Sequence, residues 1–346
     1  MKLFKKTILI LIVFLKTGNL LSDNNLFSVN NILLEKKDSI SSAKLANQAI
    51  EDAFFKLINK VLLNKDVSKV SDLNFEEIRK LVKYYNISKN SEEENNHINF
   101  SVTFDKDKIH DLFYRKGILY SDVIEKEFYI LPVLINDNEV FIFSNNSFYD
   151  NWNKQNKKDL IEFILPIENI EIIQIINRSR DNLIDLELTK LFKEYLNKNV
   201  ALVLIEYNIS GAKRVYLKLR IENKIISKSL NFKDNIINQQ NLNEKIIYTI
   251  KEEITNLVKL QNLIDIRTPS FLNVRFNLDK KNNLVLLSSK FKKTGLIENF
   301  FVQEYNKDYV NLRIKYLGKL EKIINQLKKE NINLFFANDK WFIKKL

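Results

Sequence analysis

The chain reads as an α+β protein of two or three small α/β sandwich-like domains with mixed or antiparallel sheets. Three observations lead there. Stripes at helical spacing and runs alternating with period two both recur along its length. At 346 residues and 45% hydrophobic content, the chain can bury a core large enough for two or three domains. Finally, the C-terminal residues 267–346 carry the strand and helix order of a split βαβ unit, which predicts a ferredoxin-like domain. With only five Gly and three Pro, turns must rely on Asn, Asp and Lys.

Residues 1–22 are expected to form a secretory signal. Lys2, Lys5 and Lys6 make the start basic, residues 7–15 are apolar, and Leu20-Leu21-Ser22 offers a cleavage site before Asp23. The apolar run falls short of the ~20 residues needed to span a bilayer. The expected address is periplasmic, with an uncleaved N-terminal inner-membrane anchor as the alternative.

An N-terminal α+β domain is expected over residues 23–135. Residues 27–36 suit a strand. Ala46, Ala49, Ile50, Ala53, Phe54, Leu57, Ile58, Val61 and Leu62 then recur at three- and four-residue steps, so they share one helix face. Residues 74–83 suit a shorter helix and residues 84–88 an extended segment, followed by a polar loop at 89–96. Ile98, Phe100, Val102 and Phe104 alternate as one face of a strand. Asp105 can cap the next helix, whose stripe is Ile109, Leu112 and Phe113, and Gly117 can end it. Residues 128–135 are apolar on both faces and predict a central strand. Pro132 cannot donate to a ladder, so a bulge or sheet edge is expected there.

A middle α/β domain is expected over residues 136–266. It holds a short strand at 160–165 and a helical stripe of Leu188, Leu191, Phe192, Tyr195 and Leu196. A buried strand follows at 200–205. Val215, Leu217, Leu219 and Ile221 form a half-exposed strand, which should pair with 225–232 across Glu222-Asn223-Lys224. Ile246, Ile250, Ile254, Leu257 and Val258 mark the buried face of a long helix. In the C-terminal domain, Leu272, Val274, Phe276 and Leu278 alternate with Asn and Arg. A helix at 282–293, a hairpin through Asn306-Lys307-Asp308, a helix carrying Leu320, Ile323, Ile324 and Leu327, and a hairpin around Asn338-Asp339 complete it.

The order of Ser101-Val102-Thr103-Phe104, the helix ending at Gly117, Leu131-Pro132-Val133-Leu134, Trp152 and Leu165-Pro166-Ile167 resembles an exported proteobacterial family. That family is catalogued as domain of unknown function 2066. The resemblance covers most of the chain after the signal and implies architecture and location, without an assigned activity. Where the family shows Asn-Pro-Trp, this chain has Asn146-Ser147-Phe148. Where it shows Gly-Asp-Leu-Glu-Asp, Glu168-Asn169-Ile170-Glu171-Ile172 stands, and Glu171 alone keeps its acid in register.

Composition excludes whole classes of chemistry. No Cys is present, so there are no disulfides, thiolate metal sites or cysteine nucleophiles. The only histidines are His97 and His110, which make no metal motif, and no Gly-rich phosphate loop or Gly-x-Ser-x-Gly elbow occurs. No catalytic residue, cofactor site or metal site is therefore assigned. The acidic groups Glu92-Glu93-Glu94 and Glu252-Glu253 read as solvated surface, and residues 279–283 lack the glycine and last acid of a calcium loop. The net charge of +12 comes from 46 Lys and only nine Arg among the basic residues. Phosphate and base recognition prefers Arg forks, so nucleic acid is not expected as a partner. The C-terminal domain also shows no aromatic-rich strand run of the RNA-binding type.

Trp152, with Phe148 and Tyr149 in an Asn-rich segment, is expected to pack on a sheet, and it is the one aromatic cluster with an alternative claim to contact a ligand or partner. The expected function is a non-enzymatic binding or scaffold module of the cell envelope, with another envelope protein as partner. The alternatives are an envelope hydrolase with a non-standard site and an anionic membrane-surface binder working through Lys290, Lys292, Lys293, Lys328 and Lys329.

Overall fold

The computed structural model describes residues 26–36, 41–89, 97–123, 126–136, 139–154, 160–207, 213–232, 239–278 and 284–345. The expected signal at 1–22, the acidic loop at 90–96 and the loop at 279–283 lie outside them. In chain order the elements are β1 (Ser28–Glu35), α1 (Ser42–Val61), α2 (Asn64–Val67), α3 (Phe75–Leu81), β2 (Val82–Lys89), β3 (His97–Phe104), α4 (Lys106–Lys116), β4 (Tyr120–Ser121), β5 (Lys126–Asn136), β6 (Glu139–Phe141), α5 (Ser147–Asn151), β7 (Ile161–Ile164) and α6 (Ile170–Arg178). Then come a 3₁₀ turn (Arg180–Asp185), α7 (Leu188–Leu191), a second 3₁₀ turn (Lys193–Tyr195), β8 (Asn199–Tyr207), β9 (Lys213–Ile221), β10 (Lys224–Phe232), α8 (Gln239–Gln261), β11 (Leu263–Ile264), β12 (Ser270–Asn277), α9 (Leu284–Lys293), β13 (Ile297–Tyr305), β14 (Tyr309–Tyr316), α10 (Leu320–Lys329), β15 (Ile332–Ala337) and β16 (Lys340–Lys345). The α+β class stands. No helix among the described residues is long and apolar enough to cross a membrane.

The chain divides into two compact units. The first is built from the chain up to Leu57, from Asp72–Lys116 and from Ile266 onward; the second from Ile58–Ser71 and Gly117–Asp265. The domain cut expected between Ile135 and Asn136 falls inside β5, so it does not separate folded bodies.

In the first unit, β1, β3 and β2 form an antiparallel sheet in that order. The stripe of α1 is buried as its spacing requires, with Phe54 edge-on to Phe104 of β3 at 6.1 Å. Asn74 and Glu77 make a reciprocal capping box at the start of α3. Asp105 accepts from the Asp107 and Lys108 amides at 3.0 and 3.3 Å, and Gly117 ends α4 in the left-handed region.

The C-terminal part of this unit is a five-stranded sheet in the order β13-β14-β12-β16-β15. Strands β12 and β13 flank β14, both antiparallel to it, as a split βαβ unit requires. The ferredoxin-like expectation needs one refinement. The place beside β12 goes to β16, which runs parallel to it, and β15 is displaced to the edge. The hairpin of β15 and β16 causes this, turning at Asn338 and Asp339 with positive φ at both. Helices α9 and α10 cover one face of the sheet with Leu287, Phe291, Ile323 and Leu327.

The second unit holds a six-stranded mixed sheet in the order β10-β9-β8-β5-β6, with β7 also beside β5. Its two central strands, β5 and β8, are parallel and buried on both faces, as their continuous apolar runs predict. One face packs on α8 through Ile246, Ile250, Ile254 and Val258. The other packs on α6, α7 and the first 3₁₀ turn through Ile172, Ile176, Leu183 and Leu188.

Two local expectations change here. First, β5 carries no bulge at Pro132, since its pairing with β8 runs unbroken from Phe128 to Asn136. The far edge of β5 is instead split, with β7 holding Lys126 to Tyr129 and β6 holding Leu134 to Asn136. Pro132 lies in the gap between them, so its missing amide deprives no strand of a partner. Second, the stripe from Leu188 to Leu196 is not one helix. It is a single α turn and a 3₁₀ turn joined at Phe192 (φ −112°, ψ 47°), which leaves Leu196 exposed.

Candidate functional site

The cluster of Phe148, Tyr149 and Trp152 is organised by Asn146. This residue is fully buried and fills the gap beside Pro132. Its amide donates to the carbonyls of Pro132 (2.9 Å), Ile142 (2.7 Å) and Phe141 (3.2 Å). Its Oδ1 accepts from the Phe148 and Tyr149 amides at 3.1 and 3.3 Å, which caps α5. Helix α5 is thereby pinned to the sheet, and Phe148 and Trp152 turn into the core at 0% exposure. Lys251 of α8 donates to the Trp152 carbonyl at 2.8 Å. Tyr149 is half-buried and donates to the Pro166 carbonyl at 2.8 Å. Packing on the sheet, and not the partner contact, is therefore what Phe148 and Trp152 do: full burial leaves neither a surface to offer, and Tyr149 serves as a tie.

A cleft of about 250 Å³ lies where the resemblance would put an acidic run, lined by Pro166, Glu168, Glu171, Lys190, Lys193 and Tyr195 among others. It falls below the ~300–1,000 Å³ of ordinary ligand pockets. Glu171 faces Lys193 at 3.6 Å with both side chains largely solvated, and Lys190 pairs with Glu187 at 3.0 Å. Burial and then the neighbouring Glu194 push the Tyr195 hydroxyl above its usual range, which keeps it protonated.

Burial lowers the pKa of two titratable groups, His110 and Lys259. His110 of α4 is packed edge-on to Phe27 at 5.6 Å, and burial lowers its pKa to about 4, with Lys106 adding to the effect. Lys259 of α8 donates to the Asn59 and Leu62 carbonyls at the end of α1, and burial lowers its pKa to about 8. Glu252 and Glu253 take separate partners, Tyr248 and Lys228, and so do not act as a carboxylate pair. Among the described residues no group of acids and histidines could hold a metal ion.

The sheet of β13-β14-β12-β16-β15 presents a different surface. Its face opposite α9 and α10 carries one aromatic from each strand: Phe301, Tyr309, Phe271, Phe342 and Phe335. Phe271 and Phe301 are 46% and 47% exposed. Two arginines lie across ring faces, Arg275 on Tyr309 at 3.9 Å and Arg313 on Phe271 at 4.3 Å. Phe342 stacks on Phe335 at 5.6 Å. Glu304, the acid on this face, is held by the Tyr309 hydroxyl (2.8 Å) and the Asn311 amide, and Asn311 in turn accepts from Arg275 at 3.1 Å. Neither guanidinium has a carboxylate partner among the described residues. The chain from Ile266 onward holds 17 basic side chains against seven acidic ones, so it carries +10 of the total +12.

Sequence reasoning missed this face because no single strand shows more than one of its aromatics. Strand register alone assembles them. The lysines singled out from sequence lie elsewhere, on the helical layer: Lys292, Lys293, Lys328 and Lys329 are exposed, and Lys290 donates to the Glu330 carbonyl. Searches of protein-family models, curated proteins and solved structures return no match to this chain.

Proposed function

We propose that the chain is an exported, non-catalytic binding module of the cell envelope, of the kind that the resemblance to domain of unknown function 2066 implies. We further propose that it holds an anionic partner on the open sheet face. The observation that carries the binding role is this face. It is aromatic and cationic, and its arginines are held ready on rings with no carboxylate partner among the described residues. The apolar run at 7–15 and the cleavage pattern before Asp23 support the envelope address.

Fractionation of cells making the full chain tests the address. Release with the periplasm and a mature N-terminus at Asp23 is the expected result. Full-length protein confined to the cytoplasm overturns the envelope reading and leaves the face to be tested by itself.

A further inference from the structure

The open face has a more specific chemistry than positive charge. A guanidinium on a ring offers its second flat face and its donor edge to a ligand. Two such plates, Arg275 on Tyr309 and Arg313 on Phe271, stand on adjacent strands, where Arg275 pairs with Asn311 and Arg313 with Asn273. Two residues along a strand span about 6.6 Å and neighbouring strands stand about 4.8 Å apart, so the platforms are set at the scale of successive planar rings. Phe301 and the Phe342–Phe335 stack flank them. Exposed Asn273 places a carboxamide between the platforms, exposed Asn277 and Asn299 stand beside them, and Lys315 and Lys344 add charge.

Planar rings joined by a polyanionic backbone satisfy every part of this pattern. We propose that the open face of the C-terminal sheet binds single-stranded nucleic acid. Bases stack on the rings and guanidinium plates, phosphates meet Arg275, Arg313, Lys315 and Lys344, and carboxamides reach base edges. The inference rests on the face being the binding surface, and it does not rest on the envelope address. The face presents no helix to a groove, so a duplex would meet it only through phosphates. A bilayer interface calls for apolar side chains reaching past the cations; here Arg275 and Arg313 lie across their rings. The scarcity of arginine counts less than its placement, because two of the nine stand on this one face.

The test is anisotropy titration of the full chain with fluorescent oligothymidylate and oligouridylate of about 12 nucleotides, within the range of single-strand site sizes. The expected dissociation constant is about 1–100 µM near physiological salt, weakening steeply between about 50 and 200 mM. The double variant Arg275→Gln, Arg313→Gln should bind at least tenfold more weakly. Arg275→Lys with Arg313→Lys keeps the charge but loses the plates, and should fall between. Lys292→Gln, Lys293→Gln, Lys328→Gln and Lys329→Gln together, on the helical layer, should cost less than the arginine pair even though they remove more charge.

Ultraviolet crosslinking of the unaltered protein locates the contact without any variant. Crosslinks on the peptides of Phe271, Phe301 or Tyr309 support the proposal, and crosslinks confined to α9 and α10 overturn it. Equal losses from the sheet and helix variants overturn it as well. Vesicles of phosphatidylglycerol and phosphatidylcholine form the other arm. If they bind through Arg275 and Arg313 while oligonucleotides do not, this inference fails and the binding face stands. If neither binds, both fail.

Discussion

The two large sheets of this protein are built from strands of opposite pattern. In the six-stranded sheet, β5 sends Phe128, Ile130 and Leu134 into one core and Leu131 and Val133 into another. In the five-stranded sheet, β12 buries Leu272, Val274 and Phe276 and turns Phe271, Asn273 and Arg275 the other way. A strand apolar at every position must be covered on both sides, and one apolar at alternate positions needs only one layer. Strands β5 and β8 therefore have no face left for a ligand, and the buried Asn146 beside β5 works as an internal tie. The five-stranded sheet keeps a face, and the aromatics there are not required by the core. Where sheet chemistry exceeds what folding demands, recognition is the economical explanation.

Core residues of the closed sheet should be the least forgiving. Trp152→Ala should destabilise the second unit by about 3–5 kcal/mol, the range for emptying a large buried aromatic site. Amide exchange in β5 and β8 would register the loss. Because Trp341 is the only other tryptophan, its fluorescence in this variant reports the first unit alone. A urea midpoint for Trp341 that shifts as far as exchange in β8 would show that the two sheets do not unfold separately.

Asn146→Ala should cost about 2–4 kcal/mol, since buried carbonyls of Pro132 and Ile142 lose their donor and α5 loses its cap. Asn146→Asp should be worse, because a carboxylate would then face those carbonyl oxygens. If the aspartate variant is the more stable of the two in urea, the donor role assigned to the Asn146 amide is wrong.

In the first unit the sensitive group is His110. Its folded pKa of about 4 lies below the ordinary 6.5, so between those values the unfolded chain holds a proton that the folded chain does not. Stability must rise with pH across that window and be lost on acidification. The neighbours oppose one another: Lys106 lowers the pKa, while Glu298, Asp107 and Asp111 raise it. The shift corresponds to about 3 kcal/mol at most. His110→Gln should flatten the pH dependence of the urea midpoint between pH 4 and 6.5; an unchanged slope would assign the acid sensitivity to other groups.

Much of this was legible from sequence, for identifiable reasons. The α1 stripe, the alternation in β3 and the continuous runs of β5 and β8 each carry their period in one segment, and local period decides what a face does. With few glycines, the turns fell to Asn and Asp, and Asn223, Asn338 and Asp339 adopt positive φ where hairpins were expected. What failed depended on partners far along the chain. Pro132 suggested a bulge or a sheet edge, and the gap it occupies along the edge of β5 is made by β6 and β7, which sequence does not place beside it. Trp152 kept an alternative claim to a contact because its burial depends on α8, about a hundred residues away. The aromatic face was invisible because five strands share it.

The smallest effect should come from the open face itself. Phe271→Ser removes a ring that is half exposed and touches Arg313, and Arg313→Gln removes its cation. A cation–π contact at an exposed site contributes about 0.5–1 kcal/mol, so each variant should shift stability by no more than that. The comparison turns on this result. A loss of several kcal/mol in urea would mean that the face is a covered core and not a platform. A near-silent change in stability, set beside a large loss in ligand binding, would separate what the sheet needs to fold from what it carries for recognition.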